Sequence, residues 1–159
     1  MNLEAMNIKP KYTFDMLYVS PLTKKLGFDE QKLRIIYVSM EQKRVRTGLE
    51  VIDMVVDALM AGRDPADIPW RQGIDYAKMS ATMKLLTGMT MVEMRTLWRA
   101  RVAGELLRYT ELPLKEVMRR CGYTSAPSFS RLVSKTYGSS PLKLRKLSRE
   151  KGDMGKFAL

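Results

Sequence analysis

The chain of 159 residues contains no histidine and a single cysteine. Losing histidine removes the commonest general base and the commonest metal ligand, so zinc chemistry and a nucleophile triad have little to build on. No acidic or phosphate-binding constellation replaces them. The expectation is therefore a protein that is not an enzyme and needs no cofactor or metal. One cysteine excludes an internal disulfide framework and fits a reducing cytosol. No apolar run approaches the ~20 residues of a membrane span, and Met1-Asn2-Leu3-Glu4 has neither the basic nor the apolar region of a signal peptide. Acidic residues are scarce in one half only. Residues 1–83 hold 12 Lys/Arg against 11 Asp/Glu, whereas residues 84–159 hold 16 against 6, so nearly all of the net +11 lies there. A positive field confined to one half points to a polyanion: DNA, RNA or an anionic membrane surface on charge alone, with a merely solvated face as the bland alternative.

What is present reads as short helices set off by punctuation. With 45% hydrophobic residues a core is available, and the length suits one domain with an extra arm. Thr47-Gly48-Leu49-Glu50 has the form of a capping box, followed by apolar Leu49, Ile52, Val55, Val56 and Leu59 on one helical face up to Gly62. Asp64-Pro65 opens a segment to Gln72, in which Pro69 sits awkwardly. Asp75 caps a helix from Tyr76 to Thr87. A second capping box, Thr90 to Glu93, begins the longest helix, which runs to about Tyr109 and is roughly 28 Å long at 1.5 Å per residue. Pro113 opens a helix ending at Gly122, Ser125 caps one ending at Gly138, and Ser140-Pro141 begins the last, to about Ser148. Residues 149–159 read as a frayed tail. Residues 1–46 are an arm of less certain structure. Alternation at Tyr12, Phe14 and Met16 hints at a strand. Asp29 to Gln42 favours a helix through Leu33, Ile36, Tyr37 and Met40, while Arg34 to Ser39 suits a strand equally well.

Pro113 to Tyr137 carries the clearest local signal. A very short glycine-containing turn, Cys121-Gly122-Tyr123-Thr124, sets two helices at a steep angle and lets the second project into a groove. Leu114, Val117, Met118 and Cys121 can pack on Phe129, Leu132 and Val133. That leaves Ser128, Ser130, Arg131, Ser134 and Lys135 in or near the outward sector. Arg131 can fork onto guanine, and Ser128 and Ser130 allow close approach to bases. Lys135, Arg119, Arg120 and Lys115 are cast as phosphate clamps. Elsewhere the bland readings lead. Cys121 is a small core hydrophobe, with a redox switch the minority reading. Met79, Met83, Met94 and Met118 are core filler, Trp70 and Trp98 core anchors, and Arg99 a tie between helices.

The run Arg99-x-x-x-Ala103-x-x-Leu106-Leu107, then Pro113-Leu114-x-x-Val117, Cys121-Gly122-Tyr123, and Phe129-Ser130-Arg131-x-x-x-Lys135-x-x-Gly138-x-Ser140-Pro141-x-x-x-Arg145 resembles the DNA-binding domain of AraC/XylS-type transcriptional regulators. The resemblance covers 88–145 well and 47–87 weakly. It implies an all-α, seven-helix domain in which a long helix joins two helix-turn-helices whose recognition helices enter successive major grooves. The implied divisions are an N-terminal arm (1–46), a first, degenerate unit (47–89), the connecting helix (90–110), a second unit (111–148) and a tail (149–159). The connecting helix is close in length to the ~34 Å of one DNA turn.

Departures from the family pattern fall mainly in the first unit. Asp75 stands where the family usually has Ser, methionines (Met79, Met83) where it has aromatics or leucines, and Pro69 where it has a small helix former. Its base-facing positions map to Ala77, Ser80 and Ala81, so this unit is expected to anchor phosphates through Arg71, Lys78 and Lys84 while reading little. In the second unit Ala126 and Pro127 replace polar readers, Tyr123 takes the place of an aromatic packed under the turn, and Arg131 matches. The length before Thr47 is too small for the ligand-sensing domain of most members, which suggests a short stand-alone form governed by abundance or a partner. The leading expectation is a cytoplasmic, nucleoid-associated regulator that binds double-stranded DNA and no membrane, with RNA polymerase or another regulator as candidate protein partners. The rivals are an architectural or recombination accessory factor, and an adaptor that binds a protein through residues 1–46.

Overall fold

A computed structural model describes residues 9–159, and for Trp70 and Arg71 the backbone alone. Its described residues divide into two compact units. One comprises residues through Val19 with Arg44–Trp98, the other Ser20–Lys43 with Arg99–Leu159.

The first unit holds α1 (Phe14–Leu17), α2 (Glu50–Met60), α3 (Ile68–Gln72), α4 (Tyr76–Thr87) and the start of α5 (Met91–Tyr109). Ile52, Val55, Val56, Leu59, Met79, Met83, Met91, Met94 and Trp98 form its core. The arm belongs to that core. Tyr12 N donates to the Leu86 carbonyl at 2.9 Å, Leu17 and Val19 are buried, and Phe14 and Tyr18 pack on the Trp98 ring at 6.1 and 4.9 Å. The strand hinted at by Tyr12, Phe14 and Met16 is instead a bend at Lys11–Tyr12 followed by one helical turn, which Thr13 caps by accepting from Met16 N. The start of α2 also differs from expectation. Leu49 is its N-cap and makes no side-chain cap bond. Asp53 reaches back instead and accepts from Thr47 N, Thr47 Oγ1 and Gly48 N. Burial works to raise the pKa of this carboxyl, but those hydrogen bonds and the charge of Arg46 outweigh it and hold the pKa below its ordinary value. Pro69 proves comfortable. Pro65–Asp67 is a separate 3₁₀ turn, so Pro69 falls in the first turn of α3, where its missing amide has no helical partner to lose.

The second unit contains the remainder of α5, α6 (Leu114–Arg120), α7 (Ala126–Tyr137), α8 (Pro141–Glu150) and a small antiparallel sheet. That sheet corrects the all-α expectation. β1 (Lys24–Asp29), β2 (Arg34–Ser39) and β3 (Phe157–Ala158) run in the order β2-β1-β3. The helix favoured over Asp29 to Gln42 is a hairpin, and the strand alternative over Arg34 to Ser39 is the one adopted. Asp29 Oδ1 accepts from Gln31 N and Lys32 N, which turns the chain where a helix would have to start. Nor is the tail frayed. Lys24 and Lys25 pair with Ala158 and Phe157, Phe157 packs edge-on to Tyr109 at 5.5 Å, and Gly155 N donates to the Tyr109 carbonyl.

Seven helices, α2 to α8, thus dominate the described residues beyond the turn of α1, with the sheet as an addition. None of them is long and apolar enough to cross a membrane.

Candidate nucleic-acid interface

The turn between α6 and α7 owes its shape to residues that leave it few alternatives. Gly122 has φ 81°, a left-handed conformation costly to any residue with a Cβ. A Cβ there would also stand 2.9 Å from the Arg99 guanidinium. Arg99 lies 5.3 Å from the centre of the Tyr123 ring, and Tyr123 in turn packs on Phe129 at 5.9 Å. Arg99 and Tyr123 therefore brace the turn from beneath. Ser125 Oγ accepts from Ser128 N and starts α7. Val117, Cys121, Phe129, Leu132 and Val133 are buried between the two helices. Burial pushes the Cys121 thiol up to about 12, so it rests as a protonated hydrophobe, the bland reading.

Burial of Phe129, Leu132 and Val133 leaves the opposite face of α7 to solvent. Pro127, Arg131, Ser134 and Lys135 are exposed there, and the helix contains no acidic residue. Arg131 donates from Nη2 to Ser128 Oγ at 3.2 Å, which holds the guanidinium along the N-terminal half of the helix. Ser128 is half-buried on one flank of this face. Ser130 lies on the other flank and lines an apolar cleft of about 430 Å³ with Leu114, Met118, Phe129, Pro141 and Leu142. Of the phosphate candidates, Lys115 and Lys135 are exposed. Arg119 and Arg120 are exposed as well, but both bind Glu116: Arg119 through Nη2 at 2.6 Å and Nε at 3.0 Å, and Arg120 through Nε at 2.9 Å. The Arg119 hydrogen bond and the charge of both arginines hold the Glu116 carboxyl below its ordinary pKa. The two α6 arginines thus share one carboxylate, which spacing along the chain signals only through the i,i+3 and i,i+4 relation.

The first unit builds a similar helix with a different face. Asp75 caps α4 by accepting from Lys78 N at 3.1 Å, and Met79, Met83 and Thr87 face inward. Outward stand Tyr76, Ala77, Lys78, Ala81 and Leu85, with Ser80 half-buried. Lys84 donates from Nζ to the Gly88 carbonyl at 3.0 Å, satisfying the end of its own helix. The Arg71 and Trp70 side chains lie outside the described residues.

Two residues given no role by sequence reasoning hold the second unit together. Arg145 is buried at 7% exposure and spends its guanidinium on four carbonyls: Leu106, Leu107, Thr110 and Leu112. These carbonyls lie in the last turn of α5 and just beyond it, where helical partners run out, although the Leu106 carbonyl also accepts from Thr110 N and Thr110 Oγ1. Burial, with Arg149 adding repulsion, lowers its pKa from the ordinary arginine value. Tyr137 donates to the Ala100 carbonyl at 2.6 Å and lies over Gly104, where a Cβ would meet its hydroxyl at 2.0 Å. Arg145 closed the sequence motif, but its buried capping role has no local pattern. The glycine inside a long helix was the available sign of Tyr137.

Comparison with known proteins agrees with this geometry. Residues 71–147 match the family described as a helix-turn-helix domain. Among solved structures the chain resembles the C-terminal domain of AraT, a response regulator from Geobacillus stearothermophilus. They share 24% identity and a TM-score of 0.52, over 62% of this chain and 88% of that one. It also resembles the xylose-binding transcription activator xylR at 22% identity and a TM-score of 0.52, over 75% of this chain but only 34% of that one. These are likenesses of fold. No curated protein matches. Residues 71–147 thus match a helix-turn-helix domain family, in keeping with the AraC/XylS-type resemblance of the sequence.

Proposed function

We propose that this chain regulates transcription by binding double-stranded DNA with a sequence preference read chiefly by α7. One observation carries the reading: the exposed face of α7 presents Arg131 and Lys135 without a single acidic side chain on the helix. A guanidinium on that face can take guanine O6 and N7 together, which is the commonest specific contact in a major groove. Ser128, which already holds Arg131, and Ser130 are the accompanying base-side residues. Lys135, Lys115, Arg119, Arg120, Lys78, Lys84 and Arg71 contact phosphates. These set orientation and strength without carrying sequence information.

Phosphate contacts release counterions, so affinity must fall with salt. About six neutralised phosphates give a log–log slope near −5 on duplex DNA. Fluorescence anisotropy with a short duplex across low to physiological salt measures it. A binding constant indifferent to salt would remove the proposal.

The outward face of α4 favours a second reading. With Ala77 and Ala81 where a reader would stand, the protein suits an architectural role that protects and bends DNA with little base preference. Footprinting in the presence of competitor DNA separates the two: a regulator protects a defined site, an architectural factor a broad one.

A further inference from the structure

The outward face of α7 carries one residue that neither phosphates nor polar base edges explain. Phe129, Leu132 and Val133 are buried, and at about 100° a residue they lie roughly 200°, 140° and 240° around the helix from Pro127. Pro127 is therefore set opposite the core. It is exposed, in the same stripe as Arg131, Ser134 and Lys135. Of those four it is the one whose side chain has neither a donor nor an acceptor. It also stands nearest the N-terminal end, the part of a recognition helix that reaches base edges.

The backbone around Pro127 is poorly suited to phosphate as well. Pro127 has no amide to give. Ser128 N donates to Ser125 Oγ at 3.4 Å, and Phe129 N donates to the Ser125 carbonyl at 3.1 Å. Anion binding at a helix start uses such amides, so the tip of α7 offers carbon where a polar contact would otherwise be made. In the major groove the base edges display donors and acceptors, with one apolar exception: the methyl group on C5 of thymine.

We propose that Pro127 reads the C5 methyl group of a pyrimidine close to the guanine taken by Arg131. The inference rests on the DNA-binding reading of α7 and deepens it. Four residues along a helix span about 6 Å, against ~3.4 Å for each base pair. The methyl group therefore lies within about two base pairs of that guanine. A proline ring can pair neither with O4 of thymine nor with N4 of cytosine. It separates a methylated pyrimidine from an unmethylated one and treats thymine and 5-methylcytosine alike. Cytosine is then a poor substitute for thymine until it is methylated, and methylation of such a site strengthens binding.

Selection by the purified full chain from three pools of random duplexes tests this: natural bases, deoxyuridine in place of thymidine, and 5-methylcytosine in place of cytosine. The first pool should yield a thymine within about two base pairs of the guanine. In the second that preference should vanish while the guanine stays, and in the third 5-methylcytosine should share the position with thymine. Fluorescence anisotropy on the selected duplex should give about fourfold tighter binding for thymine over uracil, and for 5-methylcytosine over cytosine, the worth of one buried methyl group. Pro127→Ser should erase both ratios yet keep the guanine preference and the salt slope, which shows that the variant is folded. Equal affinity for thymine and uracil beside an intact guanine preference would overturn this inference and leave the DNA-binding reading standing. So would a methyl preference that survives Pro127→Ser. Failure to bind any duplex would overturn both.

Discussion

Counted from their N-caps, Asp75 and Ser125, α4 and α7 are each 12 residues long and end at left-handed glycines, Gly88 and Gly138. Position by position the inner faces agree: Met79 with Phe129, Met83 with Val133. The outer faces do not. Ala81 stands where Arg131 does, Leu85 where Lys135 does, and Lys78 where Ser128 does. The next helix repeats the contrast, since Arg95 of α5 and Arg145 of α8 hold equivalent places. Arg95 pairs with the Asp64 carboxylate, with both side chains partly exposed, whereas Arg145 is buried on backbone carbonyls. One scaffold thus carries two different surfaces. Core spacing fixes the helix, and the outward residues decide what it can read.

The largest expected effect tests the buried side of that contrast. Arg145→Met removes a buried guanidinium's bonds to four carbonyls and should lower stability by about 3 kcal/mol or more in a denaturant titration, since hydrogen bonds from charged groups are each worth roughly 1.5–3 kcal/mol. Arg95→Met, at the equivalent place, breaks a partly exposed pair and should cost no more than about 1 kcal/mol. Equal losses would mean that the two arginines are interchangeable braces.

Next comes the outer face. Arg131→Ala should lose about 1–3 kcal/mol on the preferred site and relax discrimination at one base pair, measured by competition against random duplex. Equal losses on preferred and random DNA would show the wrong reader. The reciprocal change, Ala81→Arg, should strengthen binding and steepen the salt slope by about one unit. No gain would mean that α4 stays away from DNA. Lys135→Ala should weaken every sequence alike and flatten the slope by about one unit. The smallest effects should come from the caps. Asp75→Ala and Ser125→Ala each remove one bond at a helix start and should cost about 1 kcal/mol of stability, with Ser125→Ala also weakening DNA binding by displacing Ser128.

Legibility along the chain followed the range of the forces involved. Helix starts at Thr90, Ser125 and Ser140 were readable because a cap and its target lie three residues apart. The Thr90–Glu93 box forms as expected, with Glu93 N donating to Thr90 Oγ1 and Thr90 N to Glu93 Oε2. The box at Thr47 was misread because Asp53, beyond the reach of that pattern, takes the amides instead. The hairpin was misassigned for a related reason. Leu33, Ile36, Tyr37 and Met40 mimic a helical period, and Leu33 occupies the left-handed position where glycine or asparagine would have announced a turn. Pairing of β1 with β3 joins residues from opposite ends of the chain, and no local pattern predicts it. At the candidate interface, the outward placement of Arg131 and Lys135 on α7 was legible from helical spacing. The Glu116 bridge and the Ser128 support of Arg131 required side-chain geometry.

Selection from a pool of random duplexes on the purified full chain, followed by sequencing, tests the central claim that α7 reads bases and α4 does not. The account predicts one short, contiguous motif for each protein chain, containing a guanine whose enrichment disappears in the Arg131→Ala variant. Two equally informative motif halves for each chain, or a guanine preference that persists without Arg131, would contradict it.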